Sequence, residues 1–178
     1  MTLDYRDLFT VMHPGFFEKP WIRSIDPGEV FSEMILELKE TRPLPPVQTA
    51  ESIRYGLLEG DRTGFYEAVE RVVPSWVPIY RDSSDPVLCG FENGRVVSFC
   101  LLEEMTSYRG LRIGGPGCVG TVPEARGRAV GLRMVQLATE HFRREGYDLS
   151  YIHYTGVDHW YARLGYRTVL RWTRDGIC

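Results

Sequence analysis

The stretch Val122-Pro123-Glu124-Ala125-Arg126-Gly127-Arg128-Ala129-Val130-Gly131-Leu132 reads as the end of a strand, a loop of small residues and the first turn of a helix. Gly127, Ala129 and Gly131 alternate with longer residues, so the backbone can approach a bulky polyanion closely, while the free N–H groups and positive dipole end of the following helix point toward it. Arg126 and Arg128 add mobile positive charge. The stretch is an anion site. Its spacing is not that of the two commoner phosphate loops: no Gly-Lys-Ser/Thr follows, and the small residues alternate every second position instead of falling as G-x-G-x-x-G.

Further along lies Trp160-Tyr161-Ala162-Arg163-Leu164-Gly165-Tyr166, an aromatic pair on a short helix closed by glycine. One amphipathic helix and one strand separate the two motifs. In this order and at this separation the chain resembles the GNAT superfamily of acyl-CoA-dependent N-acyltransferases, whose pyrophosphate loop reads R-G-x-G/A-x-G and whose later signature reads [FLW]-Y-x-x-x-G-[FY]. The resemblance is specific from Val119 to Leu170, and before that it rests on the order of elements. It implies an α+β fold of three-layer α/β/α type: a mixed, mostly antiparallel twisted sheet with a splayed central strand pair and flanking helices. A single domain over residues 1–178 is expected, with an acceptor-side part at 1–80 and an acyl-CoA-binding core at 86–172.

Composition agrees with such a chain and excludes other classes. The 178 residues suffice for one well-buried core. With 43% hydrophobic and 25% charged residues the chain has the balance of a soluble globular protein. A net charge of −3 with dispersed basic residues leaves no footprint for nucleic acid or an anionic membrane. Cys89, Cys100, Cys118 and Cys178 lack paired metal-ligand spacing, lie in or near apolar strand-like runs and read as reduced, buried thiols. Asp4, Arg6 and Asp7 interrupt the start, so no apolar leader is read there, and a cytoplasmic location is the default expectation.

Along the chain, residues 1–20 are aromatic and irregular, and Trp21 to Ile25 fits a short strand. Asp26-Pro27-Gly28-Glu29 has the form of a capping box, and Val30, Phe31, Met34, Ile35 and Leu38 recur at helical spacing, so a helix ending before Pro43 is expected. Pro43-Leu44-Pro45-Pro46 is a stiff connector, and a second helix follows near Gly64 to Val72. Beyond Pro78 the period becomes that of strands: Pro86 to Glu92 and Arg95 to Glu104 flank Asn93-Gly94, a strong hairpin signal. A third strand runs to Val122, and Gly114-Gly115-Pro116-Gly117 within it predicts a bulge or splay. A helix from Leu132 to Glu145, with Gln136 on its outer face, a strand at Leu149 to Tyr154, a short helix at Asp158 to Leu164 and a strand at Tyr166 to Trp172 complete the order.

The resemblance also assigns roles. Acyl carbonyl contacts fall to the backbone of Val119, Gly120 and Thr121, and the cofactor's pyrophosphate to Arg126, Gly127, Arg128, Ala129, Val130, Gly131 and Leu132. Tyr161 becomes the acid that protonates the leaving thiolate, a phenol of pKa about 10 against a thiol of about 8.5. Acetyl-CoA is the cosubstrate, no metal is implied, and the acceptor is a primary amine of a small molecule or peptide. Aromatic residues Phe16, Phe17, Trp21, Trp76 and Tyr80 lie in the half that shapes the acceptor cleft. The general base is open: the strand before the loop has no carboxylate, Glu103, Glu104 and Asp148 are candidates of which period two lets only one of the first pair face the cleft, and a water relay is the alternative. Tyr154 stands where the family often has asparagine, with Thr155 beside it. His13, His141, His153 and His159 show no metal spacing. Cys118 reads as a small buried residue, since no activating base for an acyl-cysteine is evident. The competing readings are an acyl-CoA-binding regulatory module that does not turn over and a pyridine-dinucleotide binder, the latter disfavoured by the loop spacing. Nucleic-acid and membrane partners are not expected, and a homodimer is left open.

Overall fold

A computed structural model describes residues 3–39 and 43–178. Eight strands form one sheet in the order β2-β3-β4-β5-β6-β1-β7-β8: β1 Phe31–Glu37, β2 Arg54–Leu57, β3 Val87–Glu92, β4 Arg95–Glu104, β5 Ile113–Thr121, β6 Leu149–Thr155, β7 Arg167–Thr173 and β8 Gly176–Ile177. Every neighbouring pair is antiparallel except β5 with β6 at the centre. Five helices cover it: α1 Tyr5–Met12, α2 Thr63–Val72, α3 Trp76–Asp82, α4 Val130–Arg144 and α5 Asp158–Ala162. The result is an α/β/α sandwich.

Period two along the strands decides which helix each face receives. In β4, Cys100 and Leu102 pack with Met134, Ala138 and Phe142 of α4, while Phe99 and Leu101 pack with Phe65, Val69 and Tyr80 of α2 and α3. In β6, Ile152 faces α4 and α5, and Leu149 and Tyr151 face Leu8 of α1. Thus α4 and α5 lie on one side of the sheet and α1, α2 and α3 on the other. The Asn93-Gly94 hairpin forms as expected, with φ of 51° and 75° at its two central residues. Gly146, at φ 77°, closes α4 as a C′ residue.

Several expectations for the N-terminal part are corrected. Val30 to Leu38 is no helix; Phe31–Glu37 is strand β1, wedged between β6 and β7. A strand buried on both faces carries a continuous apolar run, and Met34 and Ile35 fall at helical spacing only because both faces are covered. The apparent capping box is a turn in which the Glu29 N–H donates to the Asp26 carbonyl at 3.1 Å. Trp21 to Ile25 is not a strand either, since Pro20–Ser24 coils as a 3₁₀ turn. The first 20 residues contain helix α1, capped by Asp4, whose carboxylate accepts from the Arg6 and Asp7 N–H groups. Pro78 lies in the first turn of α3, where a missing N–H costs nothing, so strand structure starts only at Val87. The edge strands β2 and β8 have no counterpart in the expected order. Gln136 points inward and donates to the Pro45 carbonyl at 3.1 Å, which ties the proline-rich connector to α4.

Candidate active site

β5 and β6 pair only at Ile113 with Leu149 and Gly114 with Ser150, after which they part. The parting is built into β5. Against β4, Phe99 is opposite Gly120 and Leu101 opposite Gly117, so Cys118 and Val119 together face Cys100 and make a bulge. Cys118 takes φ 48° there, and the Tyr80 hydroxyl donates to its carbonyl at 2.6 Å, pinning the bulge from the α3 side. Glycines permit the approach of neighbours: a Cβ on Gly115 would collide with the Tyr151 carbonyl, and one on Gly117 with the Glu103 carboxylate.

Past Thr121 the chain enters the anion loop. Gly127 and Ala129 adopt the left-handed region at φ 74° and 57°, and α4 begins at Val130, leaving its first N–H groups without helical partners. A cavity of about 360 Å³ opens here, lined by Thr121, Arg126, Gly127, Ala129, Val130, Gly131, Leu132, Trp160 and Arg163. Arg128 is not among them. Both its terminal nitrogens are taken by Glu92, at 2.8 and 2.5 Å, so the mobile charge expected of it is spent in a bidentate pair that holds the loop to β3. Arg163, from the end of α5, supplies charge in its place and was not anticipated from sequence. A pyrophosphate fits this donor set: unpaired helix N–H groups, Arg126, Arg163, and a wall at Gly131 where any Cβ would press on the Thr121 hydroxyl at 2.8 Å.

A second cavity of about 300 Å³ shares Thr121, Gly131 and Trp160 with the first and adds Val119, Val157, His159 and Tyr161. A third, of about 1100 Å³, shares Val119, Val157 and Tyr161 with the second and opens onto the α1/α3 side of the sheet. The three form a passage from the anion loop through the gap between β5 and β6. Tyr161 stands midway, 8% exposed, with its phenol held well above the ordinary value by burial. It therefore stays protonated and can serve as a donor, though as a weaker acid than an exposed phenol. Cys118 also lines the large cavity, but burial pushes its thiol up to about 12, so it is not a ready nucleophile.

Of the candidate bases the structure brings one into the passage. Glu103 lines the large cavity, and burial followed by the charge of Asp85 raises its carboxyl, with His153 opposing. The neighbouring Glu104 points to solvent toward Arg112 at 3.7 Å. Asp148 pairs with Lys39 and accepts from the Arg112 N–H at 2.7 Å, away from the cavity, and these contacts lower its pKa. Phe16, Trp21 and Trp76 line the cavity, whereas Tyr80 is core and Phe17 packs on Trp172. Tyr154, at φ 56°, lays its ring against Phe31 and Trp21, and Thr155 accepts from the Val157 N–H; both line the large cavity.

The same cavity wall holds a constellation that sequence reasoning missed. Glu33 of β1 is 1% exposed and receives Tyr151 Oη at 2.6 Å, Trp172 Nε1 at 2.6 Å, the Tyr154 N–H at 3.2 Å and His153 Nδ1 at 2.9 Å. His153 stacks on His13 at 3.7 Å, and burial, then the charge of His153, lowers His13 to about 3. One signal was present: a lone carboxylate in the apolar run Phe31 to Leu36 needs buried partners once the run is a strand. Reading the run as a helix turned Glu33 outward and hid it.

No protein-family model matches the chain, and no curated protein does. Solved structures do. A GCN5-related glucosamine N-acetyltransferase region of a fungal multi-domain β-N-acetylglucosaminidase is 23% identical at a TM-score of 0.66, over 83% of this chain and 20% of that one. A GCN5-related N-acetyltransferase from Sphaerobacter thermophilus is 23% identical at 0.65, over 84% and 51%. A putative GNAT-family acetyltransferase from Novosphingobium aromaticivorans is 19% identical at 0.58, over 80% and 60%. The chain spans between a fifth and three fifths of the length of these proteins. The likeness is one of fold: with its mixed, mostly antiparallel sheet between two helical layers, the chain has the fold of the GCN5-related N-acetyltransferases.

Proposed function

We propose that the protein transfers the acetyl group of acetyl-CoA to a primary amine of a small molecule or peptide, by direct attack within a ternary complex. The observation that carries this reading is the continuous passage from the anion loop, past Val119 and Tyr161, into the large cavity. A ligand with a polyanionic end and a thin arm ending in a reactive group matches its shape and charge. The N-acetyltransferase neighbours support acyl transfer in general.

In this reading the N–H groups opening α4, with Arg126 and Arg163, hold the pyrophosphate. The backbone of Val119, Gly120 and Thr121 faces the acyl carbonyl and stabilises the oxyanion that forms there. The amine enters from the α1/α3 side, where Glu103 attracts its ammonium form and Trp21, Trp76 and Ile79 receive its apolar body. The C–N bond forms as the C–S bond breaks, and Tyr161 gives its proton to the departing sulfur. The high thiol of Cys118 supports direct attack over a covalent acyl-enzyme.

Thermal melting with ligands tests the cofactor. CoA is expected to raise Tm by mass action, and NAD and ATP to raise it much less. Arg126→Glu, on an exposed loop, reverses a charge beside the pyrophosphate and is expected to remove most of the CoA shift while the unliganded Tm stays put. An undiminished shift overturns the loop assignment.

A further inference from the structure

The Glu33 cluster calls for a function because structure alone does not require all of it. A buried carboxylate is stable when its lone pairs are satisfied, and Tyr151, Trp172 and the Tyr154 N–H already provide three donors. The fourth, His153, lies on the cavity wall with 24% of its side chain exposed. With four donors converging on it, Glu33 acts as acceptor toward Nδ1, which fixes the imidazole as the tautomer with its proton on Nδ1 and its lone pair on Nε2. His13 stacked on one side and the edge of Phe16 at 5.1 Å hold the ring plane. An imidazole oriented by a buried carboxylate is the arrangement a general base needs.

Its position in the sheet matters equally. Along β6, Ile152 faces α4 and α5 and His153 faces the opposite side, so His153 and Tyr161 flank the β5/β6 gap from opposite faces. A thioester threaded through that gap has its sulfur near the acid on one face and its acyl carbon open to the other. We propose that His153 is the catalytic base that takes the proton from the acceptor amine, with Glu33 as its positioning residue. This rests on the acyl-transfer reading. Nε2 of His153 takes one proton from the ammonium and passes it to water, and the lone pair so freed forms the C–N bond. The C–S electron pair leaves on sulfur and takes the proton of Tyr161, and the surplus proton on nitrogen returns to Tyr161 through water. Glu103, across the cavity, attracts the ammonium and needs to take no proton.

The cluster also offers three ligand atoms within 4.8 Å of one another, as a metal site would. Two features set that aside. The His13 and His153 rings lie nearly parallel, 20° apart at 3.7 Å, so their lone pairs run side by side instead of converging, and the oxygens of Glu33 are already engaged.

The test is steady-state acetyl transfer across pH. The charged and titratable groups that face His153 are Glu33 from β1, His13 at the end of α1, Lys19 just after it, Tyr151 and Tyr154 on β6 and Glu103 from β4. Against that background, His153→Gln is expected to lower kcat by about 10²- to 10⁴-fold, to lose the acid limb of the wild-type profile, and to regain part of the rate with added imidazole. Its CoA-induced Tm shift should equal that of wild type. Glu33→Gln, which removes the carboxylate that fixes the ring and its tautomer, should lower kcat while leaving the KM for the amine and the CoA-induced Tm shift unchanged. Should either variant fail to fold, carbethoxylation of wild type is expected to inactivate in step with modification of His153, mapped by mass spectrometry, and hydroxylamine to reverse it. Wild-type turnover by His153→Gln with an unchanged profile overturns the assignment, as does full activity after His153 is modified. A wild-type protein that binds CoA yet acetylates no amine overturns the acyl-transfer reading itself, a result separable from the first.

Discussion

Tyr161 and Cys118 line the same cavity, and burial moves both of their protons in the same direction, with opposite consequences. A phenol held protonated remains a donor, whereas a thiol raised to about 12 is barred from attack near neutral pH. Tyr161→Phe is therefore expected to keep its CoA-induced Tm shift and to lose about ten- to a thousandfold in kcat, because the hydroxyl acts mainly as the thiolate develops. Single-turnover mixing, which isolates chemistry from product release, checks this. Of the four cysteines, all expected to be buried, Cys178 is exposed because it ends the chain beyond β8, so brief treatment with iodoacetamide at pH 8 should label one site per chain. Peptide mapping that found Cys118 labelled as fast as Cys178 would reopen the acyl-cysteine route.

The helix α1 shows how an element's stability can carry a pH signature. It ends at His13, whose half-buried ring stacks on His153 and titrates near 3 when folded, against about 6.5 in an unfolded chain. Between those values the unfolded state binds the extra proton, so this contribution to stability is complete above about pH 6.5 and is lost as pH falls toward 3, with a slope approaching 1.4 kcal/mol per pH unit. Urea melts at pH 7 and pH 5 should show the decline, and His13→Asn should flatten it. A second element-level expectation concerns β4: Phe99→Ala, which empties a fully buried ring between α2, α3 and the sheet, should cost about 3–5 kcal/mol. The elements from β3 to β7 were legible in sequence because they carry local punctuation, such as Asn93-Gly94, Gly114 to Gly117 and Gly146, whereas the two-residue edge strand β8 was not. Before residue 80 the same reasoning misplaced β1, missed α1, β2 and α3, and so concealed Glu33. The cause is physical: β1 takes its conformation from β6 and β7, more than 110 residues away, and a strand covered on both faces has no period of its own to display. Arg128 was misread for a related reason, since its partner Glu92 lies on the preceding hairpin.

At the scale of the whole molecule, the sheet acts as a partition with one gap. The anion loop and Tyr161 lie with α4 and α5, the large cavity with Glu103 and His153 lies with α1 and α3, and the bulge at Cys118 and Val119 keeps the gap open between them. In the proposed reaction, acid and base work on the two sides of one thioester without neutralising each other. The arrangement predicts a sequential mechanism, with initial-velocity lines for acetyl-CoA and amine that intersect; parallel lines would point to an acyl-enzyme instead. Acyl transfer through the sheet is tested most directly by following thiol release from acetyl-CoA with and without a panel of primary amines that includes aromatic ones. Release should be slow without amine and show a saturable, amine-dependent acceleration, matched mole for mole by acetylated amine. Binding of CoA with no amine in the panel accelerating release would contradict it and leave the chain an acyl-CoA-binding module.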